Sequence, residues 1–354
     1  MGELQDKAYL HIQDDFRGMK ILIVGVEQIK EDERYMDDKG WAFQKAFEKI
    51  GVSTETFFYK KKGKLAFIEK NKHIKDVWHS YMNNSLLQCV TDVKPEVLFI
   101  SKGETITSDT LWKIRKKTGT TIINVFTDNP LCMGNFEAIE PCHYFFVKDS
   151  YIVDTLRKSG LRNVFYLPQC TNEDVHKPVM LDDKDKLLYS TDLSLIGSMY
   201  PYRLKLLEQL IEFRPAIWGK GWSRSSNKKI VELYRGNDIR GSQKVKAINA
   251  SKISLNPHHP LNDIYGTNSR TFDIAACRGF QLADYKSDIE NLFKVGEEVI
   301  CFRTIDELIK LIRHYLEHPD EREEIAKAAY QRVLKEHTYL HRAREILDVV
   351  ARSS

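Results

Sequence analysis

Four places in the sequence set charged side chains beside residues that let a backbone approach a ligand. In Gly197-Ser-Met-Tyr-Pro-Tyr-Arg203 an apolar run ends in glycine, and an arginine follows where a helix begins. Gly219-Lys220-Gly221 holds a cation between two glycines. Tyr265-Gly266-Thr267-Asn268-Ser269-Arg270-Thr-Phe-Asp273 runs from a long loop into a helix. Asp128 follows the apolar run Thr121–Phe126 and precedes Asn129-Pro130, where the proline ends the strand sharply. Glycine admits close approach, and the free N–H groups of a helix start favour an anion. Gly266 to Ser269 can present consecutive N–H groups to a diphosphate, and the planar fork of Arg270 can pair with phosphate oxygens. Asp273, one turn further on, repels phosphate but can accept hydrogen bonds from the two hydroxyls of a ribose. A carboxylate at Asp128 can take the proton of an attacking hydroxyl.

Each residue also has a plainer reading. Asp273 can serve the helix dipole. Arg203 and Lys220 can be solvated surface charges. Asp128 can be a turn former. Glu27 and Glu104 follow strands without independent support, and the loop pair His258-His259 reads as exposed or as a donor to phosphate. The three basic or glycine-rich loops gain weight together, because all belong to one edge of one sheet. No G-x-G-x-x-G follows the first strand and no Walker motif is present, which disfavours ordinary dinucleotide and P-loop sites.

The elements that must position these residues alternate in type. Apolar runs at Lys20–Gly25, Glu96–Ser101, Thr121–Phe126, His143–Val147 and Val164–Leu167 read as strands, with a further strand at Val52–Tyr59. Helices are expected near Trp41–Ile50, within Leu65–Val90, near Asp109–Lys117 and near Tyr151–Ser159. The second half repeats the plan, with strands at Leu193–Gly197, Ala216–Trp218, Ile253–Leu255, Gln281–Ala283 and Val299–Phe302. Its helices lie at Arg203–Ile211 and Thr271–Cys277, then after the capping box Thr304-x-x-Glu307, then across Glu321–Val350. Such alternation means βαβ units and a parallel sheet. The expectation is an α/β protein of two doubly wound, Rossmann-like domains facing a cleft. They cover residues 1–172 and 173–354, with a polar joint at 169–186.

Length and composition agree. The 354 residues suit two domains, and 42% hydrophobic content can fill two cores. A net charge of +4 is too small to argue for nucleic acid. It fits an anionic small ligand, or weak peripheral contact with an anionic membrane surface. No run of apolar residues is long enough to span a bilayer and the N-terminus has no signal-peptide core, so a cytoplasmic location is expected. Six cysteines form no C-x-x-C pair. Cys142-His143 and His258-His259 have no second pair at ligand spacing, so reduced thiols and no metal are expected.

At this point a family resemblance emerges. The segment Arg270-Thr-Phe272-Asp273 resembles the R-x-F/W-E segment of GT-B glycosyltransferases, most closely the CgeB-like group. That group also has a G-S-x-Y-x-x-R turn, here Gly197 to Arg203, and an aromatic D-x-P strand end, here Phe126 to Pro130. Further matches are Y-L-P-Q at Tyr166 to Gln169 and H-T-Y-x-H-R at His337 to Arg342. A more distant likeness links the chain to phage DNA β-glucosyltransferases, whose F-T-D aspartate is the catalytic base. The resemblance implies a GT-B fold and transfer of a sugar from a nucleoside-diphosphate sugar, a UDP-sugar by preference, to an acceptor hydroxyl. It makes Asp128 the base, Arg203 and Arg270 the diphosphate donors, and Asp273 the ribose ligand; Lys220, between its two glycines, is a further candidate donor to the diphosphate. No cofactor or metal is then required, because the protein's cations meet the leaving group's charge. The acceptor would be a carbohydrate, a glycoconjugate or a protein, with nucleic acid disfavoured. The terminal helices would cross back to the first domain. A sugar-nucleotide epimerase or hydrolase, or a silent sugar-nucleotide-binding protein, are the alternatives. Two departures stand out. Asp273 replaces the family's glutamate, and the upstream glutamate of the E-x7-E pattern of many retaining enzymes is absent, which favours inversion.

Overall fold

The computed structural model describes residues 18–30, 33–36, 38–61, 72–133, 136–236 and 238–353. The chain forms two compact units, residues 1–168 with 339–354 and residues 169–338.

The first unit is built from β1 (Lys20–Lys30), β2 (Glu33–Met36), α1 (Asp38–Ile50), β3 (Ser53–Lys61), α2 (Lys72–Val93), β4 (Val97–Ser101) and α3 (Ser108–Lys117). It continues through β5 (Thr121–Phe126), α4 (Pro130–Met133), β6 (Tyr144–Val147), α5 (Ser150–Lys158) and β7 (Val164–Tyr166). Parallel pairing gives the order β3-β1-β4-β5-β6-β7. The central strands are buried throughout because helices cover both faces, which is why they read as continuous apolar runs. One expectation is corrected here. The first strand does not end at Gly25. It continues to Lys30, shifts register between Gly25 and Val26, and pairs antiparallel with β2, so the sheet is not wholly parallel. The side chain of Glu27 and the stretch Leu65 to Asn71 lie outside the described residues.

The second unit holds α6 (Asp183–Tyr189), β8 (Thr191–Ile196), α7 (Pro201–Glu208), β9 (Ala216–Trp218), α8 (Lys228–Leu233), β10 (Tyr234–Gly236) and α9 (Gly241–Asn249). After these come β11 (Ser251–Asn256), α10 (Ser269–Ala276), β12 (Gln281–Asp284), β13 (Ile300–Phe302), α11 (Ile305–Glu317) and α12 (Pro319–Glu336). Its sheet runs β10-β9-β8-β11-β12-β13, all parallel. Part of the stretch expected to be a polar joint is the helix α6, capped by Asp182, whose side chain accepts from Asp185 N. The cap read at Thr304 forms, with Thr304 Oγ1 accepting from Glu307 N, while the Glu307 carboxylate reaches one residue past the cap, to Arg303 N.

The last helix, α13 (Tyr339–Ser353), belongs to the first unit, whereas α12 belongs to the second. Ala343, Ile346, Leu347 and Val350 of α13 join Phe43, Ala46 and Phe47 of α1 over Ile21, Ile23, Phe99 and Ile123 of the sheet. Burying side chains of this size stabilises by roughly 1.5–3 kcal/mol each. The buried Arg342 is fixed in the same unit, donating through Nε to Pro168 O at 2.8 Å and pairing with Glu345 at 2.7 Å.

Candidate functional site

In the second sheet the chain order reverses between β8 and β11, which lie side by side. Loops leaving the carboxyl ends of two such strands diverge and leave a crevice, where doubly wound sheets bind ligands. Gly197 and Arg203 follow β8, and Pro257 and the loop to Arg270 follow β11. The sheet therefore brings the two arginine segments together. Arg203 donates through Nε and Nη2 to Pro257 O at 3.2 and 2.9 Å, and through Nη1 to Ser198 O at 2.9 Å. Arg270 donates through Nη2 to the same carbonyl at 3.1 Å, through Nη1 to Ile196 O at 2.9 Å, and through Nε to Asn256 Oδ1 at 3.1 Å. Two guanidinium groups thus share one carbonyl oxygen. Arg203 is buried and Arg270 half-buried, and among the described residues neither contacts a carboxylate. Burial, reinforced by the Arg270 charge, brings the Arg203 guanidinium down to about 9, still protonated at neutral pH. Burial likewise lowers Arg270. Asp263 and Asp284 act on both charges without touching them, but burial outweighs them, so an anion between the two guanidinium groups relieves the pair further.

The surroundings hold this pair rigidly. Asn256 is buried and donates through Nδ2 to Thr271 Oγ1 and Gln281 Oε1, both at 3.0 Å, while its Oδ1 takes Arg270 and Asn268. Asn268 also caps α10 by accepting from Thr271 N. The first-turn N–H groups of Ser269 and Arg270 have no partner within the helix. Gly266 and Thr267 are buried beside them, and Thr267 Oγ1 is a buried hydroxyl with no hydrogen-bond partner. A Cβ at Gly197 would lie 2.4 Å from Arg270 Nη1 and 2.8 Å from Arg203 Nη1, so any other residue there displaces the two guanidinium groups. Lys220 enters only through its backbone, whose carbonyl accepts from Met199 N at 2.9 Å. Its side chain is exposed and makes no ion pair among the described residues.

One expectation needs correcting. His258 is not an exposed loop histidine. It is fully buried, with Nδ1 2.6 Å and its backbone N 2.7 Å from Asp284 Oδ1, and Nε2 3.4 Å from Thr271 Oγ1. It braces the helix start that carries Arg270. Asp273, read as a helix-dipole residue or a ribose ligand, has both oxygens engaged by the protein. Oδ2 accepts from Lys244 Nζ at 2.5 Å, and Oδ1 meets Thr171 Oγ1 and His176 Nδ1, each at 3.2 Å. Burial acts to raise its pKa, but His176 and Lys244 outweigh it and hold the carboxyl below the usual range. The contribution is thus present above a pH of about 3.9 and lost as pH falls through the depressed value. Lys244→Met leaves that buried carboxylate with His176 and Thr171 alone. It should cost up to about 3–5 kcal/mol at neutral pH, read from urea unfolding. Equal midpoints and slopes for variant and wild type would show the pair to be energetically idle.

Lys244, Asn256, Thr171 and His176 were not legible as site residues. Lys244 and His176 are single charged residues in polar stretches, and only the fold brings them to Asp273.

In the first unit, Asp128 follows β5. The turn-forming role falls to its neighbour Asn129, whose Oδ1 accepts from Leu131 N at 3.0 Å and whose carbonyl accepts from Cys132 N and Met133 N. Asp128 instead pairs with Lys102 after β4, with Nζ to Oδ2 at 2.8 Å. Burial acts to raise its pKa, but Lys102, Lys39 and Lys148 outweigh burial and keep it ionised. Glu104 is held by the Tyr59 hydroxyl.

Residues 203–348, which contain both arginines, match the family described as glycosyl transferase-like. The spore protein CgeB of Bacillus subtilis (strain 168) is 26% identical over 196 residues, which are 51% of this chain and 59% of that protein. Sucrose-phosphate synthase from Thermosynechococcus elongatus superposes with a TM-score of 0.65 at 12% identity, over 94% of this chain and 98% of that one. Anabaena HepE in complex with UDP-glucose gives 0.61 at 11% identity, over 94% and 100% of the two chains. The chain has the GT-B fold, and its likeness to the glycosyl transferase-like family lies in residues 203–348. Its CgeB-like sequence spans just over half of the Bacillus relative. Among the described residues, no helix is long and apolar enough to cross a membrane.

Proposed function

We propose that the chain transfers a sugar from a nucleoside-diphosphate sugar, a UDP-sugar by preference, to an acceptor hydroxyl of a carbohydrate, glycoconjugate or protein. The observation that carries this reading is the Arg203–Arg270 pair, two buried or half-buried cations that no carboxylate among the described residues contacts, at the switch point of the second sheet. Each guanidinium has five N–H donors. Three of the nitrogens are anchored to protein oxygens, so the remaining N–H bonds can meet phosphate without the side chains having to be ordered on binding. With the helix N–H groups of Ser269 and Arg270, they stabilise the negative charge that grows on a departing diphosphate. Thr267 Oγ1 is free to hydrogen-bond the same ligand. HepE, which shares the fold, binds UDP-glucose. Asp128 of the first unit, ionised beside Lys102, is the base that takes the acceptor proton. Asp273 serves the ribose through the acceptor site left on Oδ2, which carries the Lys244 bond alone, or by releasing Thr171, its neutral partner at 3.2 Å.

A ligand that binds only the native state raises its stability, by about 2.7 kcal/mol at a hundred times its dissociation constant. UDP and UDP-sugars should therefore raise the melting temperature of the purified chain by several degrees, whereas uridine alone, without phosphates, should not. No shift with any nucleoside diphosphate would overturn the reading. A shift by nucleotide sugars with release of free sugar and no acceptor product would indicate a hydrolase.

A further inference from the structure

The strongest feature outside this site lies at the corner between α11 and α12. His314 is on the last turn of α11, His318 closes that helix, and Glu321 is on the first turn of α12. The two imidazole rings stack with centroids 4.0 Å apart and planes 17° apart. His314 Nε2 lies 2.9 Å from Glu321 Oε2. Ligand atoms of all three residues fall within 4.8 Å of one another, and all three are exposed. His318 Nδ1 is 2.6 Å from His314 O, so that nitrogen carries the proton and Nε2 keeps its lone pair. A histidine whose second nitrogen donates to a backbone carbonyl is already oriented as a metal ligand. Arg322 donates to Tyr315 O across the same corner and fixes the angle between the helices.

The geometry points to a surface site for one divalent transition-metal ion, of the zinc class, held by His314, His318 and Glu321. Two imidazoles four residues apart on a helix, with one carboxylate, are a borderline-soft donor set that suits Zn2+ and not Mg2+. Bonds of about 2.0–2.1 Å place tetrahedral ligand atoms roughly 3.3 Å apart. His314 and Glu321 need to separate by only a few tenths of an ångström, and rotation about exposed side-chain bonds supplies the rest. Water fills the fourth position. The ion would fasten the end of α11 to the start of α12, far in sequence from both arginines. The spacing His314-x-x-x-His318 is visible in the sequence, but the third ligand lies beyond Pro319, on a different helix.

The test is a calorimetric titration of the chelator-stripped full chain with Zn2+, beside the double variant His314→Ala/His318→Ala. The wild type should bind one equivalent that the double variant loses, or binds at least tenfold more weakly, and excess Mg2+ should not compete. Co2+ should give the wild type alone a visible absorption band of a low-coordinate site. The residues are exposed, so both proteins should melt alike in chelator, which controls for folding. An unchanged Zn2+ isotherm in the double variant places the ion elsewhere and overturns the assignment, as does the absence of saturable binding by the wild type.

Discussion

Replacing Gly197 by alanine should abolish measurable binding of UDP and UDP-sugars, although it removes no charge. The new methyl group would lie 2.4 Å from Arg270 Nη1 and 2.8 Å from Arg203 Nη1, so these atoms must shift off Ile196 O and Ser198 O and turn both guanidinium groups from their anchored positions. The backbone cannot yield instead. Gly197 O accepts from Trp222 Nε1 at 2.7 Å, and Gly219 already sits against that oxygen in a conformation, φ +143°, that only glycine adopts readily. A charge-assisted hydrogen bond contributes about 1.5–3 kcal/mol, so losing two weakens binding about a hundredfold or more. Arg270→Ala removes one fork and should do the same, whereas Arg270→Lys keeps the charge but loses the planar geometry and should recover only part of the affinity. Calorimetry with UDP reads all three, with far-ultraviolet circular dichroism as the control for folding. Wild-type affinity in Gly197→Ala would mean that the arginine pair does not hold the diphosphate.

The pattern of that site was partly legible. The glycine at 197, the arginines at 203 and 270 and the loop 266–269 all follow apolar runs, and a parallel sheet puts every such run's end on one edge. The sequence could not show that Arg203 and Arg270 would meet on Pro257 O, because that depends on β8 and β11 being neighbours. For the same reason it could not show that Lys244, on α9, would close on Asp273. Helix α9 and strand β10 are short, carry mixed polar and apolar residues, and owe their existence to the surfaces they cover. The extension of β1 past Gly25 was hidden because a glycine after four apolar residues reads as a stop, whereas here it marks a register shift. His258 was misjudged by type. A histidine in a loop is usually wet, and burial came from Asp284, twenty-six positions away on the next strand.

Replacing Asp128 by asparagine should leave UDP binding unchanged and reduce transfer by roughly a hundred- to ten-thousand-fold, the range over which a positioned general base acts. Asparagine keeps the shape of the side chain and can still accept from Lys102, so the comparison isolates the charge. The pH dependence gives a second handle with a definite sign. A carboxyl whose pKa is depressed by Lys102, Lys39 and Lys148 against the effect of burial is in its base form at every pH above its ordinary value near 3.8. The rate should therefore show no ionisation of Asp128 between pH 5 and 8. Lys102→Met removes the nearest of those charges and leaves burial less opposed. The pKa should rise, and an acidic limb should move up toward the working range, with a loss of rate at low pH that raising the pH restores. A limb that stays in place in Lys102→Met, or full transfer by Asp128→Asn, would remove Asp128 from the reaction and leave the lysine pair as a brace between β4 and β5. Lys102 must also give way for an acceptor hydroxyl to reach Oδ2, so the lysine that keeps the base ionised competes with the substrate for the same oxygen. Weaker pairing should therefore lower KM for the acceptor in Lys102→Met at high pH, a change that a purely structural lysine would not produce.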